Sequence, residues 1–235
     1  MRLRRFIVDA DINTQKIRLT DPELVSQMKN VLRLSAGDRV SLADGKGKEA
    51  LAQVATLSKG VAELAVEKVY ENYNEANRNV ILYCSLLKRE NFELVVQKAT
   101  EVGVKEIFPI VAERTVKLKI RMDRLSKIIK EAAEQSGRTI VPKLYEPISF
   151  SNGIRHAAKN NINLFFDVLG SPFQEQIPSL KRHRNVGVFI GPEGGWTDEE
   201  LESAKENRVK IVSLGKLTMR SETAAIIASY LSALL

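Results

Sequence analysis

The sequence is poor in the residues that build metal centres and disulfides. Its 235 residues include one cysteine, Cys84, and two histidines, His156 and His183. One cysteine cannot form an internal disulfide, and there is no Cys-x-x-Cys or His-Glu-x-x-His sequence that would indicate a zinc site. Cys84 lies in the apolar run from Val80 to Leu87, where we expect it to be a small buried hydrophobe. We therefore predict that the protein holds no metal.

Long apolar runs are also missing. None reaches the roughly 18 residues that a membrane span needs. The basic residues 1–6 are followed by no signal-peptide core. The sequence therefore predicts a cytoplasmic protein without a membrane partner, and it contains no internal repeat and no low-complexity segment.

Positive charge is in moderate excess. The formal net charge of +7 and the pI near 9.4 are compatible with a polyanionic partner and also with an ordinary basic cytosolic protein. Between residues 114 and 130 there are seven basic residues and one acid, Asp123. This run is either a solvated helix face or a surface that contacts phosphates, with Arg121 and Lys127 as candidate contacts.

A chain of this length has room for two modest domains. The first, residues 1–72, is predicted to be a small β-barrel with strands near 5–10, 15–19, 39–43, 49–57 and 61–69. Asp21 and Pro22 open a helix that runs to about Arg33. Arg4, Arg5 and Arg33 are candidate RNA contacts, although a structural barrel with solvated arginines fits the pattern equally well.

From residue 73 onward, strands alternate with helices. We predict strands at 80–87, 106–111, 143–145, 162–168, 186–190 and 209–214. Helices are predicted at 91–102, 123–136 and 152–159, from Asp198, and at 224–235. This alternation predicts an α/β fold with a mainly parallel sheet covered by helices on both faces.

Two loops at the carboxyl ends of the last two predicted strands carry the unusual residues. Residues 191–195 contain three glycines, and residues 214–221 follow the strand that ends near Leu214. Ligands of open α/β sheets bind outside the carboxyl ends of the strands, and glycine lets backbone amides approach a ligand closely. The glycine spacing differs from the dinucleotide and nucleoside triphosphate motifs, which disfavours both ligands. Thr197 and Glu200 form a capping-box pattern, so a helix should start directly after the first loop.

These two loops resemble a known family. Gly-Pro-Glu-Gly-Gly at 191–195 and Leu-Gly-x-x-x-x-Arg-x-Glu-Thr-Ala at 214–224 are similar to the RsmE family, the 16S ribosomal RNA (uracil-N3) methyltransferases of the SPOUT superfamily. Residues 31–40, 97–103 and 131–138 are also similar, so the resemblance covers nearly the whole chain.

The resemblance implies both an architecture and partners. Residues 1–72 would form a PUA-like RNA-binding β-barrel domain, and residues 73–235 a SPOUT methyltransferase domain with a trefoil knot near the carboxyl terminus. The cofactor would be S-adenosylmethionine, and the substrate 16S ribosomal RNA or the small ribosomal subunit. The protein would be a homodimer with its cofactor loops at the interface.

The resemblance also assigns roles to residues. Backbone groups and apolar contacts of the two loops would bind the cofactor, through Gly191, Pro192, Glu193, Gly194, Gly195, Leu214, Gly215, Leu217 and Met219. Arg220 is the candidate catalytic cation, because charge develops on the uracil carbonyls as the imide proton leaves. Its alternative is an ion pair with Glu222 or Glu193. Glu222 is the candidate proton acceptor, or else it caps the helix expected near Ala224.

Other assignments stay open. Trp196 either stacks on a base or packs as a hydrophobic staple before the helix. Gln135, Ser136 and Arg138 face either RNA or the second subunit, and Arg138 is included among the candidate RNA contacts. Two further functions compete with uracil-N3 methylation, namely a SPOUT enzyme acting on another atom, such as the ribose 2′-oxygen, and a non-catalytic RNA-binding protein. A nicotinamide-dependent oxidoreductase is disfavoured because its glycine fingerprint is missing.

Overall fold

The structure, a computed structural model, describes residues 3–71, 74–116 and 120–234. The chain divides into two compact units. Unit 1 comprises Met1–Glu75 and Ala133–Val141, and unit 2 comprises Ala76–Ala132 and Pro142–Leu235. The second segment of unit 1 is distant in sequence from the first, and no local pattern indicated that they associate. No helix in the described ranges is long and apolar enough to cross a membrane.

Unit 1 is built on a five-stranded sheet in the order β1-β3-β4-β5-β2. Its strands are β1 (Arg4–Ile7), β2 (Lys16–Leu19), β3 (Arg39–Ala43), β4 (Lys48–Ser58) and β5 (Val61–Glu71). The pair β1 and β3 is parallel, and the other pairs are antiparallel. All five predicted strands are therefore present, with ends shifted by a few residues.

The helix of unit 1 is shorter than the sequence predicted. Helix α1 (Pro22–Ser26) begins where expected, because the Asp21 carboxylate accepts hydrogen bonds from the first backbone amides and proline occupies the first turn. A π-helical turn, Gln27–Val31, then replaces the expected continuation to Arg33. Arg33 itself has a φ of 53°, a left-handed conformation that ends the helical path.

Unit 2 contains a seven-stranded sheet in the order β12-β10-β11-β6-β7-β8, with β9 also paired to β7. Its strands are β6 (Asn79–Ser85), β7 (Glu106–Val111), β8 (Lys143–Leu144), β9 (Ile148–Ser149), β10 (Ile162–Pro172), β11 (Asn185–Ile190) and β12 (Lys210–Ser213). All of these described pairs are parallel. The α/β prediction with a mainly parallel sheet is confirmed.

The remaining helices follow the strands in alternation. They are α2 (Arg89–Glu101), α3 (Met122–Ser136), α4 (Phe150–Ala157), α5 (Ile177–Leu180), α6 (Asp198–Glu206) and α7 (Ser221–Leu234). The short α5 was expected to be irregular because of its prolines. Helix α7 begins three residues before the predicted start at Ala224, which brings Glu222 into its first turn.

A row of stacked aromatic rings crosses the sheet of unit 2. Phe165, Phe189, Tyr83 and Phe108 stand side by side on the neighbouring strands β10, β11, β6 and β7. Successive ring centroids are 6.0, 4.3 and 5.2 Å apart. The Tyr83 hydroxyl lies 2.8 Å from Nδ1 of His156 on α4. Burial raises the pKa of Tyr83, so this phenol stays neutral.

We predict that the Tyr83 ring contributes far more to stability than its hydroxyl does. Tyr83→Phe keeps the stacking and loses the hydrogen bonds of the hydroxyl with His156 and Asn160, which should lower the free energy of unfolding by about 1–2 kcal/mol. Tyr83→Ala leaves a cavity in the row and should cost about 3–5 kcal/mol. Urea denaturation of both variants measures the difference. Equal losses would show that ring packing does not dominate at this position.

Candidate functional site at the carboxyl ends of the parallel strands

A cavity of about 310 Å³ opens at the carboxyl ends of β11 and β12 and at the bulge within β10, next to the start of α7. Its volume is at the lower end of the roughly 300–1,000 Å³ of small-molecule sites. All nine residues predicted to bind the cofactor line it, namely Gly191, Pro192, Glu193, Gly194, Gly195, Leu214, Gly215, Leu217 and Met219. The two loops therefore form one site.

The cavity has further walls that the sequence analysis did not assign. Phe166, Asp167 and Val168, at the bulge within β10, line one side, and Trp196, Thr218 and Ser221 line others. Asp167 was detectable in principle, because it is a carboxylate that directly follows the apolar run 164–166 of a parallel strand.

The buried ring of Trp196 packs directly against the loop formed by residues 191–195. Its indole is only 5% exposed, and its Nε1 donates a hydrogen bond to the carbonyl oxygen of Phe166 at 3.2 Å. A Cβ atom on Gly191 would lie 2.9 Å from that nitrogen, so only glycine allows the loop to approach the ring this closely. Trp196 is a core residue and is not available to stack on a base.

Arg114 holds the end of the same loop, and Glu113 is hydrogen-bonded to the helix that follows it. The Arg114 Nη1 donates to the carbonyl oxygens of Gly194 at 3.0 Å and Trp196 at 3.1 Å. The Glu200 carboxylate accepts hydrogen bonds from the backbone amides of Glu113 and Thr197, both at 3.0 Å. The predicted capping box of Thr197 and Glu200 is confirmed. Arg114 was predicted only as a member of the basic run, since no local pattern links it to a loop 80 residues away.

Carboxylates lie near the end of β6. The Glu193 Oε1 accepts a hydrogen bond from the backbone amide of Lys88 at 3.1 Å, just before α2. Burial, with the negative charges of Glu193 and Glu222, raises the pKa of the Cys84 thiol. Cys84 is completely buried, as the sequence predicted. Its raised pKa keeps the thiol protonated and unreactive at neutral pH.

Arg220 and Glu222 differ sharply in environment. Arg220 is exposed, and its side chain forms no hydrogen bond or ion pair with any residue that the structure describes. The alternative of an ion pair with Glu222 or Glu193 is therefore not observed. Glu222 is 8% exposed, and its Oε2 is buried without a hydrogen-bond partner among the described residues. It lies inside the first turn of α7, so the alternative of a cap ahead of a helix at Ala224 is wrong.

Comparison with known proteins identifies the chain. A family model described as RNA methyltransferase domain matches residues 74–233, and one described as RNA methyltransferase PUA domain matches residues 19–67. A Bacillus subtilis protein named ribosomal RNA small subunit methyltransferase E is 32% identical over 221 residues, which are 88% of this chain and 85% of that protein. The chain belongs to the ribosomal RNA small subunit methyltransferase E family.

Two further relatives extend this similarity. The Synechocystis member of the family is 32% identical over 238 residues, covering 97% of this chain and 76% of that protein. A crystal structure of a ribosomal RNA small subunit methyltransferase E from Neisseria gonorrhoeae, bound to S-adenosyl methionine, has a TM-score of 0.89 at 29% identity. It covers 97% of this chain and 95% of that chain. The fold is therefore shared along almost the entire length of this family member.

One predicted RNA contact needs correction. Arg138 is only 4% exposed, and its guanidinium donates to the Glu75 carboxylate, with Nη2 to Oε2 at 3.0 Å. The backbone amides of Thr139 and Ile140 donate to the same carboxylate. Arg138 thus ties the two sequence segments of unit 1 together, and its guanidinium is not presented to solvent.

The other predicted RNA contacts lie at the surface to different degrees. Arg4 and Arg33 are exposed, whereas Arg5 is half-buried and paired with Glu49 at 2.6 Å. In the basic run, Lys127 is exposed, and exposed Arg121 lies 2.6 Å from Asp123. The basic residues at positions 117 and 119 lie outside the described residues. Gln135 is exposed and Ser136 is half-buried.

The candidate site is not built around clustered metal ligands. Within residues 3–71, 74–116 and 120–234, no group of three or more His, Cys, Asp and Glu side chains is placed to hold a metal ion. The cavity instead offers backbone groups, apolar side chains and the carboxylates of Asp167 and Glu193. Such a lining suits an organic ligand that has both apolar and charged parts.

We predict that Arg114→Ala weakens S-adenosylmethionine binding about tenfold. The substitution removes two hydrogen bonds to the loop carbonyls. The cofactor must then order the loop when it binds, which lowers its affinity. A tenfold loss of affinity corresponds to about 1.4 kcal/mol. Calorimetric titration measures the affinity. Arg121→Ala is the matched control, because its side chain is paired with Asp123 and does not contact the loop. Equal affinities for both variants would contradict a supporting role for Arg114.

Proposed function

We propose that this protein transfers a methyl group from S-adenosylmethionine to N3 of a uridine in 16S ribosomal RNA of the small ribosomal subunit. The observation that carries the proposal is that nine residues assigned from two separate motifs line one cavity. The relatives named ribosomal RNA small subunit methyltransferase E support the substrate class. The family resemblance supplies the target atom.

The cavity is suited to the cofactor through its backbone. Gly195 and Gly215 have positive φ values of 71° and 139°, and a Cβ atom at either position would meet nothing within 4 Å. Both peptides are therefore open to the cavity without a side chain in between. Leu214, Leu217 and Met219 provide the apolar contacts. A binding site made of main-chain groups tolerates side-chain variation in the loop better than one made of polar side chains.

The reaction requires a nucleophilic nitrogen. Uracil N3 carries an imide proton, and the nitrogen attacks effectively only as that proton leaves. The cofactor supplies an electrophilic methyl group on a sulfonium. The chain must therefore hold the uracil ring in place, accept the proton and stabilise the charge that moves onto the ring carbonyls.

Arg220 is suited to stabilise that charge. Its planar guanidinium is not engaged by any other described side chain, and its neighbours in sequence, Met219 and Ser221, line the cavity. A cation that is unpaired before the substrate binds can direct two parallel donors at a carbonyl oxygen. Glu222 has the buried, unpartnered oxygen expected of a group that accepts a proton during the reaction. We assign these two roles to Arg220 and Glu222.

The same proposal covers the architecture around the site. Residues 1–72 would act as the PUA-like RNA-binding barrel, with Arg4, Arg5 and Arg33 as its contacts. Residues 73–235 would form the SPOUT domain with its trefoil knot, and Arg121 and Lys127 would contact phosphates. A cytoplasmic location follows from action on ribosomal RNA.

A homodimer is also part of the proposal. Three large apolar side chains are exposed near the mouth of the cavity, namely Val168 at 62%, Leu169 at 84% and Leu217 at 82%. Apolar groups clustered in this way mark a surface that another molecule covers. A second copy that packs its cofactor loops against this one would bury them.

The proposed reaction is tested by transfer of a labelled methyl group. The protein is incubated with labelled S-adenosylmethionine and either naked 16S ribosomal RNA or small subunits, and the labelled nucleotide is then mapped. Label on N3 of one uridine is the expected result. Label on a ribose 2′-oxygen or another base atom would contradict the target assignment. No label despite RNA binding would favour the non-catalytic alternative.

We predict that Arg220→Ala lowers the single-turnover rate about 100- to 1,000-fold at saturating RNA and cofactor, the magnitude of an oxyanion-type donor. The dissociation constants of both substrates should change little, because the charge that Arg220 stabilises appears only in the transition state. Arg220→Lys should recover part of the rate, since it keeps the charge and loses the planar fork.

Lys216→Ala is the matched control for Arg220→Ala. Lys216 is an exposed cation in the same loop, and like Arg220 it is not among the residues that line the cavity, so it matches Arg220 in charge and exposure but has no assigned role in the reaction. Its rate should stay near that of the parent protein. A normal rate for saturated Arg220→Ala, combined with much weaker cofactor binding, would show that Arg220 shapes the loop and does not act on the base.

A further inference from the structure

A second cleft of unit 2 lies at the amino ends of the parallel strands, opposite the cavity described above. It has a volume of about 520 Å³ and is found where β6 and β11 begin, beside the carboxyl end of α7. We call it the basic cleft. It is lined by Asn77, Arg78, Lys181, Arg182, His183, Arg184, Ala233 and Leu234. Four of these described lining residues are arginine or lysine, and none is acidic.

The backbone that carries these cations is fixed. The Arg78 Nε donates to the carbonyl oxygens of Leu180 at 3.1 Å and His183 at 3.2 Å. The Arg184 carbonyl accepts a hydrogen bond from the Asn79 amide at 2.8 Å, at the start of β6. The turn after α5 is thus held against the sheet edge. Cations on a fixed turn lose less freedom when they bind a ligand than cations on a mobile loop.

No residue that the structure describes neutralises the charges of the cleft. Lys181, Arg182 and Arg184 are exposed, and across the described ranges their side chains make no hydrogen bond or ion pair. Elsewhere in unit 2, Arg89 and Arg124 are both paired with Glu93. The basic cleft therefore keeps an unbalanced positive charge, in contrast to the pair of Arg89 and Arg124.

Helix α7 accounts for only part of this charge. The carboxyl end of a helix carries about half a negative charge, and nearby cations are favourable there. Half a charge leaves most of the four cations without an electrostatic partner. An external anion with several charges would balance the remainder.

We propose that the basic cleft binds the phosphate backbone of ribosomal RNA at a segment remote from the methylated nucleotide. This inference rests on the proposed function, because it assigns a second contact to the same substrate. Guanidinium groups bind phosphate oxygens through paired hydrogen bonds, and Arg182 and Arg184 are the principal contacts. Lys181, Arg182 and Arg184 are three exposed cations within four residues, so they can contact more than one phosphate of a strand.

The basic cleft lies far from the site that is proposed for methyl transfer. Strand β11 has six residues and separates the basic cleft from the cofactor loop that follows it. At about 3.3 Å per residue, the two ends lie roughly 20 Å apart. A short oligonucleotide around the target uridine would not need to reach the cleft of the same subunit. A long folded RNA would contact both, so the cleft favours structured substrate over short fragments.

The test compares the double variant Arg182→Ala/Arg184→Ala with the parent protein on two RNAs. One is intact 16S ribosomal RNA, and the other is a short oligonucleotide carrying the target uridine. The variant should bind the long RNA at least tenfold more weakly. Its slope of log affinity against log salt should fall by about 1.4 to 1.8, since each lost phosphate contact contributes about 0.7 to 0.9. Binding of the oligonucleotide and of S-adenosylmethionine should be unchanged.

Lys159→Ala/Lys210→Ala is the matched control, because both lysines are exposed and lie outside the two cavities. It should leave the affinity and salt slope for the long RNA close to those of the parent protein. An equal loss in the control would show a diffuse charge effect and overturn the proposal.

Three other results would overturn it. They are unchanged affinity for the long RNA, an equal loss for both RNAs, and dissociation of a dimer by the cleft variant in sedimentation analysis, which would make the cleft a subunit contact. The binding assay does not depend on methyl transfer. If the parent protein transferred no methyl group but the variant still lost long-RNA binding, the proposed function would fail and the cleft assignment would stand.

Discussion

The close approach of Gly191 to the buried indole of Trp196 is the constraint on which the site depends. A side chain at position 191 would collide with the indole ring of Trp196. The ring cannot move away, because it packs against the ring of Phe165 with 4.4 Å between the two centroids. Phe165 belongs to the aromatic row that crosses the sheet. The loop that lines the cavity is therefore connected to the core of unit 2 through contacts between rigid rings. Arg114 holds the end of the same loop through hydrogen bonds to the carbonyl oxygens of Gly194 and Trp196.

The carboxyl ends and the amino ends of the parallel strands differ in the charge of the residues around them. At the carboxyl edge, Asp167 and Glu193 line the cavity, and Glu222 is buried nearby. At the amino edge, the basic cleft has no acidic residue among those described. Carboxylates favour a cationic ligand such as a sulfonium, and clustered arginines favour a polyanion. One sheet can thus hold a positively charged cofactor at one end and an RNA backbone at the other.

Features with local causes were predictable from the sequence. The caps at Asp21 and Thr197, the alternation of strands and helices, and the two glycine-rich strand ends are each specified by residues within a few positions of one another. The convergence of 191–195 and 214–219 followed from the rule that parallel strands end at the same edge. Asp167 could have been found by the same rule.

Features that join distant parts of the chain were not predictable. Arg114 reaches Gly194 and Arg138 reaches Glu75 across 80 and 63 residues, and nothing in either local sequence indicates its partner. Arg138 looked like a surface cation because its burial depends on that partner. The stacking of Tyr83 between Phe108 and Phe189 depends on strand order, which periodicity alone does not give. Because α7 begins earlier than predicted, Glu222 is a buried side chain within its first turn and not a cap before the helix.

The central claim is that backbone groups of the two loops hold S-adenosylmethionine. Amide hydrogen exchange, measured with and without the cofactor in the absence of RNA, tests it most directly. We expect the cofactor to slow exchange at residues 191–195 and 214–219, while exchange at residues 181–184 of the basic cleft stays the same. Cofactor binding without slower exchange in either loop would show that the cofactor binds elsewhere.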